Sequence, residues 1–267
     1  MRIRVIQLAY TDDEPVDERR ARVADLVRQQ RGVDLVVLPE LWAPGGFSYR
    51  EWPERAEPLD GPTVTAVADA AREIGAVVHA GSIIEQADEP GPEGRGRWNT
   101  SVLLGADGSR LAVYRKIHRF GFGAGEPHLL EAGQDVVTVP LPGHGPDAVL
   151  GLSTCYYLRF PELYRALLDA GATVLVVPAA WPAARVGHWS VLARARAIEN
   201  QCVVVAANTA GTHAGTPMGG ASAVIGPRGE VLAEAGDAQE VLDVDIDLTD
   251  VVRARRSFPV LEDRRLR

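Results

Sequence analysis

Apolar and polar positions along the chain repeat with two periods. Arg2 to Ala9 alternates and predicts a strand. Asp17 to Arg31 sets Val23, Leu26 and Val27 at helical spacing among charged residues, and Gly32 stops it. Val33 to Leu38 is a short apolar strand, so the first forty residues read as a β-α-β unit with Pro39 and Glu40 at the strand's C-terminal end. Pro62 to Ile74 predicts a helix and Ala76 to Ile84 a strand. Residues 86 to 97, rich in Gly, Pro and Glu, predict a loop. Thr100 to Leu104 and Leu111 to Tyr114 flank Ala106-Asp107-Gly108, a hairpin signal, and Phe120 to Leu130 reads as a glycine-bearing loop.

The second half repeats the plan. Val136 to Val139, Val149 to Ser153, Thr173 to Val177 and Cys202 to Ala207 predict strands, with helices over Pro161 to Ala170 and Val191 to Glu199. Ser222 to Ile225 and Val231 to Glu234 flank a second hairpin turn at Pro227-Arg228-Gly229. Val241 to Ile246 is a strand, and Asp250 to Arg256 is a short helix before an arginine-rich tail. Strands that are apolar on both faces, alternating with helices, favour a layered α/β fold of two packed sheets with helices outside. A single doubly wound sheet is the competing arrangement. No long linker divides the chain, so residues 1–267 read as one domain.

Composition narrows the class. A 46% hydrophobic and 24% charged chain of 267 residues can bury a large core without disulfides. A net charge of -8 argues against general nucleic-acid affinity, and no apolar run reaches membrane-spanning length. Two cysteines are too few for a disulfide framework or a cysteine zinc site, and the histidines show no ligand spacing, so no metal or cofactor is expected. No basic, apolar leader opens the chain, and the cytoplasm is the expected location.

Three residues stand out chemically. Cys155 follows an apolar strand and precedes a helix, a turn that lifts a side chain out of the core beside backbone N–H groups. Cys202, inside Cys202-Val203-Val204-Val205, looks like an ordinary core cysteine. Glu40 stands where open α/β sheets place their sites. Among 28 basic residues Lys116 is the only lysine, a compact ammonium in a chain that otherwise uses arginine. A Cys-His pairing with His118 or His188 is the alternative arrangement.

Leu38-Pro39-Glu40, Tyr114-Arg115-Lys116-Ile117-His118 and Thr154-Cys155-Tyr156-Tyr157-Leu158-Arg159-Phe160-Pro161-Glu162 occur in that order, followed by Ala195 to Gln201 and Met218-Gly219-Gly220. Together they resemble the nitrilase, or carbon-nitrogen hydrolase, superfamily over nearly the whole chain. The resemblance implies an α-β-β-α sandwich, commonly a homodimer, with Glu40 as general base, Cys155 as nucleophile and Lys116 stabilising the tetrahedral intermediate beside the Tyr156 backbone N–H. It also implies a second glutamate after the lysine, with Glu126 as its counterpart and Glu131 as the competing choice. The family commonly has Cys-Tyr-Asp where this chain has Cys155-Tyr156-Tyr157. The missing acid would have braced an arginine such as Arg159, and Tyr157 enters as a residue shaping the substrate pocket.

Val177 to Pro182, with Arg185 and His188, resembles the ω-amidase-like branch, whose substrates are monoamides of short dicarboxylates. Trp181 then becomes a pocket wall and Arg185 a bidentate partner for a distal carboxylate. The expected partners are a small amide and water. N-carbamoyl hydrolysis, nitrile hydrolysis, acyl transfer and a non-catalytic binding role are the alternatives.

Overall fold

The computed structural model describes residues 1–266; residue 267, the last of the arginine-rich tail, lies outside the described residues. Two sheets carry the fold. The first runs β11 (Thr216–Pro217), β10 (Thr209–His213), β1 (Arg2–Tyr10), β2 (Leu35–Val37), β3 (Val77–Gln86), β4 (Arg97–Leu104) and β5 (Arg110–Arg115). Along one edge β1 is shared: its first six residues pair antiparallel with β14 (Glu240–Asp245), and Leu8 to Tyr10 pair parallel with β10. The second sheet runs β13 (Val231–Glu234), β12 (Ala223–Ile225), β9 (Val203–Ala207), β8 (Val174–Pro178), β7 (Val149–Leu152) and β6 (Thr138–Pro140). Strands β7, β8 and β9 are mutually parallel, as are β1, β2 and β3.

The period of two explains the layering. Ile3, Val5, Leu35 and Val37 of the first sheet pack in one apolar cluster with Leu150, Leu152, Val174 and Val176 of the second. The intervening Ile6, Leu8, Val36 and Leu38 point the other way, onto Val23 and Val27 of α1 (Val16–Arg28) and Val64 and Val67 of a helix over Pro62–Ile74. Helices over Pro161–Asp169 and Val186–Asn200 cover the outer face of the second sheet through Leu163, Leu167, Trp189 and Ala193. Each such fully buried aliphatic side chain stabilises the fold by about 1.5–3 kcal/mol. The α-β-β-α sandwich is therefore the fold, and the single doubly wound sheet is not.

Local signals account for most boundaries. The helix Pro62–Ile74 has proline in its first turn and closes on Gly75 at φ 67°, whose N–H donates to Ala71 O. Some elements differ from the sequence reading. The first helix ends at Arg28, because Gln29 and Gln30 turn the chain toward Gly32 at φ 69°. The helix read as Val191 to Glu199 begins at Val186, its first turn being polar and glycine-bearing. The segment read as a loop from Phe120 to Leu130 contains a helical turn at Glu126–Leu129.

Candidate active site

Glu40, Lys116 and Cys155 each lie just beyond the end of a strand. Beyond β2 the chain runs to Leu38, whose N–H donates to His79 O, and then to Glu40. Leu41 follows at φ 46°, its N–H held by Ser82 Oγ at 3.1 Å. Gly81 lets this turn approach β3: a Cβ there would lie 1.9 Å from Pro39 O. Lys116 follows β5 and stays in register through its N–H to Asn99 O at 2.9 Å. Cys155 begins a single helical turn, Cys155–Arg159, after β7. Its φ of 49° is a left-handed conformation that side chains rarely adopt, and the turn holds the thiol at the cleft wall.

Glu40, Lys116, Glu126 and Cys155 line one cavity of about 250 Å³, with Tyr49, Phe120 and Ala180. Lys116 Nζ donates to Glu40 Oε1 at 2.7 Å and to Glu126 Oε1 at 3.0 Å, with all three side chains at most 4% exposed. Asn99 Nδ2 donates to the same two oxygens, at 2.8 and 2.6 Å. The second oxygen of Glu40 accepts from the Ala180 N–H at 3.0 Å, just beyond β8. The second oxygen of Glu126 accepts from the Phe120 N–H, while the Glu126 N–H donates back to Phe120 O, so the loop between them is closed by a reciprocal pair.

The charges are mutually dependent. Burial by itself would lower the Lys116 pKa, but the carboxylates of Glu126 and Glu40 outweigh it and hold the ammonium well above the ordinary lysine range. Burial raises the Glu126 carboxyl, opposed by Lys116 and reinforced by Glu40. Burial also pushes the Cys155 thiol well above its usual range; Glu40 adds to this, and Lys116 and the Ala180 N–H oppose it. The resting sulfur is therefore a thiol beside the Glu40 carboxyl group.

A second cavity of about 260 Å³ shares Cys155, Phe47, Phe120 and Ala180 with the first. Tyr156, Arg159, Trp181, Pro182 and Arg185 complete its lining. Trp181 is fixed from both ends, its backbone N–H donating to Asn208 Oδ1 at 2.6 Å and its indole to Arg185 O at 2.7 Å.

Three residues named from the sequence stand elsewhere. Glu131 accepts from the backbone N–H groups of Glu93, Arg95 and Gly96, so it ties down the 87–96 loop and makes no contact with Lys116. Tyr157 is not part of either cavity wall: its ring is buried against Tyr114, His118 and Phe160. A large apolar ring at that position turns inward to the core. His118 stacks on Phe160 and does not line either cavity. Asn99 and the aromatic group Phe47, Tyr49 and Phe120 were not singled out from the sequence, and Arg159 entered only as the arginine that a missing acid would have braced. For Asn99 a signal existed: Asn99-Thr100-Ser101 is a polar run inside a strand whose neighbours are apolar, and all three are buried.

The model of the family described as carbon-nitrogen hydrolase matches residues 2–256. The chain belongs to that family. It is thus an enzyme, an amidase-type hydrolase acting on non-peptide carbon–nitrogen bonds. A 2-oxoglutaramate amidase of Paenarthrobacter nicotinovorans is 43% identical over 263 residues, covering 98% of this chain and 89% of its own. A 2-oxoglutaramate amidase of Bacillus subtilis is 31% identical over 262 residues, covering 98% and 96%. Among solved structures, XC1258 of Xanthomonas campestris, a superfamily protein described with an arsenic adduct in its active site, superposes with a TM-score of 0.88. It is 30% identical and covers 100% of this chain and 98% of its own. These relatives agree with the superfamily and the ω-amidase-like branch read from the motifs.

Proposed function

We propose that this enzyme hydrolyses the ω-amide of a short dicarboxylic monoamide through a thioester on Cys155. The observation that carries the reading is Lys116 held between Glu40 and Glu126 in the cavity that also holds Cys155. The names of its 2-oxoglutaramate amidase relatives support the substrate class.

Cys155 Sγ attacks the amide carbon while Glu40 takes its proton. The oxyanion faces Lys116 Nζ and the Tyr156 N–H. Glu40 passes the proton to the nitrogen, the C–N bond breaks, and ammonia leaves. Water then attacks the thioester, giving its proton to Glu40, and the thiol departs with that proton as the carboxylic acid forms. Glu126 and Asn99 keep Lys116 and Glu40 in place throughout. Trp181 walls the acyl chain, and Arg185 receives the distal carboxylate. A homodimer working in the cytoplasm belongs to the same reading.

The test is ammonia release across short ω-monoamides, N-carbamoyl compounds and nitriles. We expect turnover of the monoamides, abolished in folded Cys155→Ala and Lys116→Ala. Full activity in either variant overturns the assignment, and faster release from N-carbamoyl compounds overturns the substrate.

A further inference from the structure

Most buried or half-buried arginines of this protein rest against acids. Arg19 pairs with Glu14, Arg115 with Glu85, and Arg196 with Glu199. The two in the cleft differ. Among the described residues, Arg159 and Arg185 have no carboxylate partner; each lies on an aromatic face. The Arg159 guanidinium sits 4.9 Å from the Trp181 ring centroid, and Arg185 sits 5.6 Å from that of Phe120. Arg159 Nη2 is also 3.3 Å from His188 Nδ1. Within its own turn no acid competes for Arg159, because the position two residues earlier is Tyr157, whose ring is buried.

An aromatic face orients a guanidinium and shields one side from water, but does not neutralise it. The acids of the neighbouring cavity, Glu40 and Glu126, are already bound to Lys116 and Asn99. Among the described residues the cleft wall therefore presents two guanidiniums without a carboxylate partner, planar groups that match a carboxylate. Arg185 already has a place in the amidase reading. Arg159 does not, and it lines the same wall as Cys155.

We propose that Arg159 is a specificity-determining residue that shares the distal carboxylate with Arg185 and sets the preference for anionic over neutral amides. Two guanidiniums suit a substrate whose far end has several coplanar oxygens, as in a carboxylate with an adjacent keto group. Trp181 and His188 act as positioning residues for Arg159. This proposal rests on the amidase reading above and deepens it.

The experiment compares succinamate with 4-methylpentanamide, in which a branched apolar end replaces the carboxylate, using the full chain and its Arg159→Met and Arg159→Lys variants. A lost charge-assisted fork corresponds to a roughly ten- to hundredfold effect. In Arg159→Met the KM for succinamate should rise by that factor. The ratio of kcat/KM between the two amides should fall with it. Arg159→Lys keeps the charge without the fork, and should lie between wild type and Arg159→Met. Equal losses on both amides, or an unchanged ratio, overturn the proposal and make Arg159 a packing residue for Trp181. Turnover of 4-methylpentanamide as efficient as that of succinamate by the wild type overturns this proposal alone. Absence of ammonia release from any amide overturns the underlying reading, and the proposal with it.

Discussion

Replacing Lys116 by Met removes one charge from a site almost closed to solvent. Two contacts, at 2.7 and 3.0 Å, disappear together, leaving Glu40 and Glu126 facing each other at no more than 4% exposure. Breaking a buried pair in this way costs about 3–5 kcal/mol, because the surviving charge has no partner. Here two acids survive, and one must take up a proton at neutral pH. Adding Glu126→Gln removes the surplus acid, leaving Glu40 with its donors from Asn99 and Ala180. The double variant should regain about half of the lost stability or more. Neither variant should regain turnover, since loss of an oxyanion donor alone lowers kcat by about 10²–10³. Urea unfolding at pH 7 gives the stabilities, and ammonia release gives the rates. A Lys116→Met protein as stable as wild type would refute the buried ion cluster. Turnover by the double variant within about tenfold of wild type would refute the role of the ammonium.

Two further perturbations address the frame that positions Glu40. Buried His79 has its pKa lowered to about 4 from an ordinary 6.5, because burial disfavours its charged form. The unfolded chain then binds the proton first. The stability from keeping His79 neutral is complete above pH 6.5 and is lost as pH falls toward 4, by about 3 kcal/mol. His79→Gln should flatten the fall in urea midpoint across that window; an unaltered slope would sink the reasoning, and His213, lowered to about 3, and His118, lowered by burial, contribute to the remaining slope. Gly81→Ala places a Cβ 1.9 Å from Pro39 O on a backbone with φ 71°, so the turn before Glu40 must move. We expect a loss of about 2 kcal/mol or more, with a fall in kcat larger than any change in KM; wild-type kinetics would show that the base tolerates displacement.

Much of the sandwich was legible because its strands carry both faces in their spelling. In Leu35-Val36-Val37-Leu38 alternate residues enter different cores, so an unbroken apolar run marks a strand covered on two sides. β10 and β11 were missed for the opposite reason. Thr209–His213 and Thr216–Pro217 carry polar residues and glycine, and they form strands through tertiary pairing with the end of β1, where His213 stacks on Tyr10 at 3.6 Å. In the site, Glu40 and Cys155 could be singled out because each follows a strand, and Lys116 because it is the only lysine. Glu126 was preferred over Glu131 from the sequence, although both lie on the same short stretch and both are buried. The difference is in their partners, backbone amides for Glu131 and a lysine for Glu126. Arg159 was legible only as a group without its usual acid; the Trp181 face that takes the acid's place is distant in sequence.

Glu40 belongs to the first sheet, yet one of its oxygens is held by an amide N–H that follows the second. Cys155 and Lys116 likewise come from opposite sheets. On the proposed mechanism the reacting centre is thus a seam, complete only when the two halves of the sandwich are in register. A slip of about 1 Å between them would pull base and thiol out of line, a displacement that can cost on the order of a hundredfold in rate. Catalytic rate in this enzyme therefore gauges sheet alignment. Substitutions deep in the inter-sheet core, far from any substrate, should first appear as slower chemistry in a protein that is still folded.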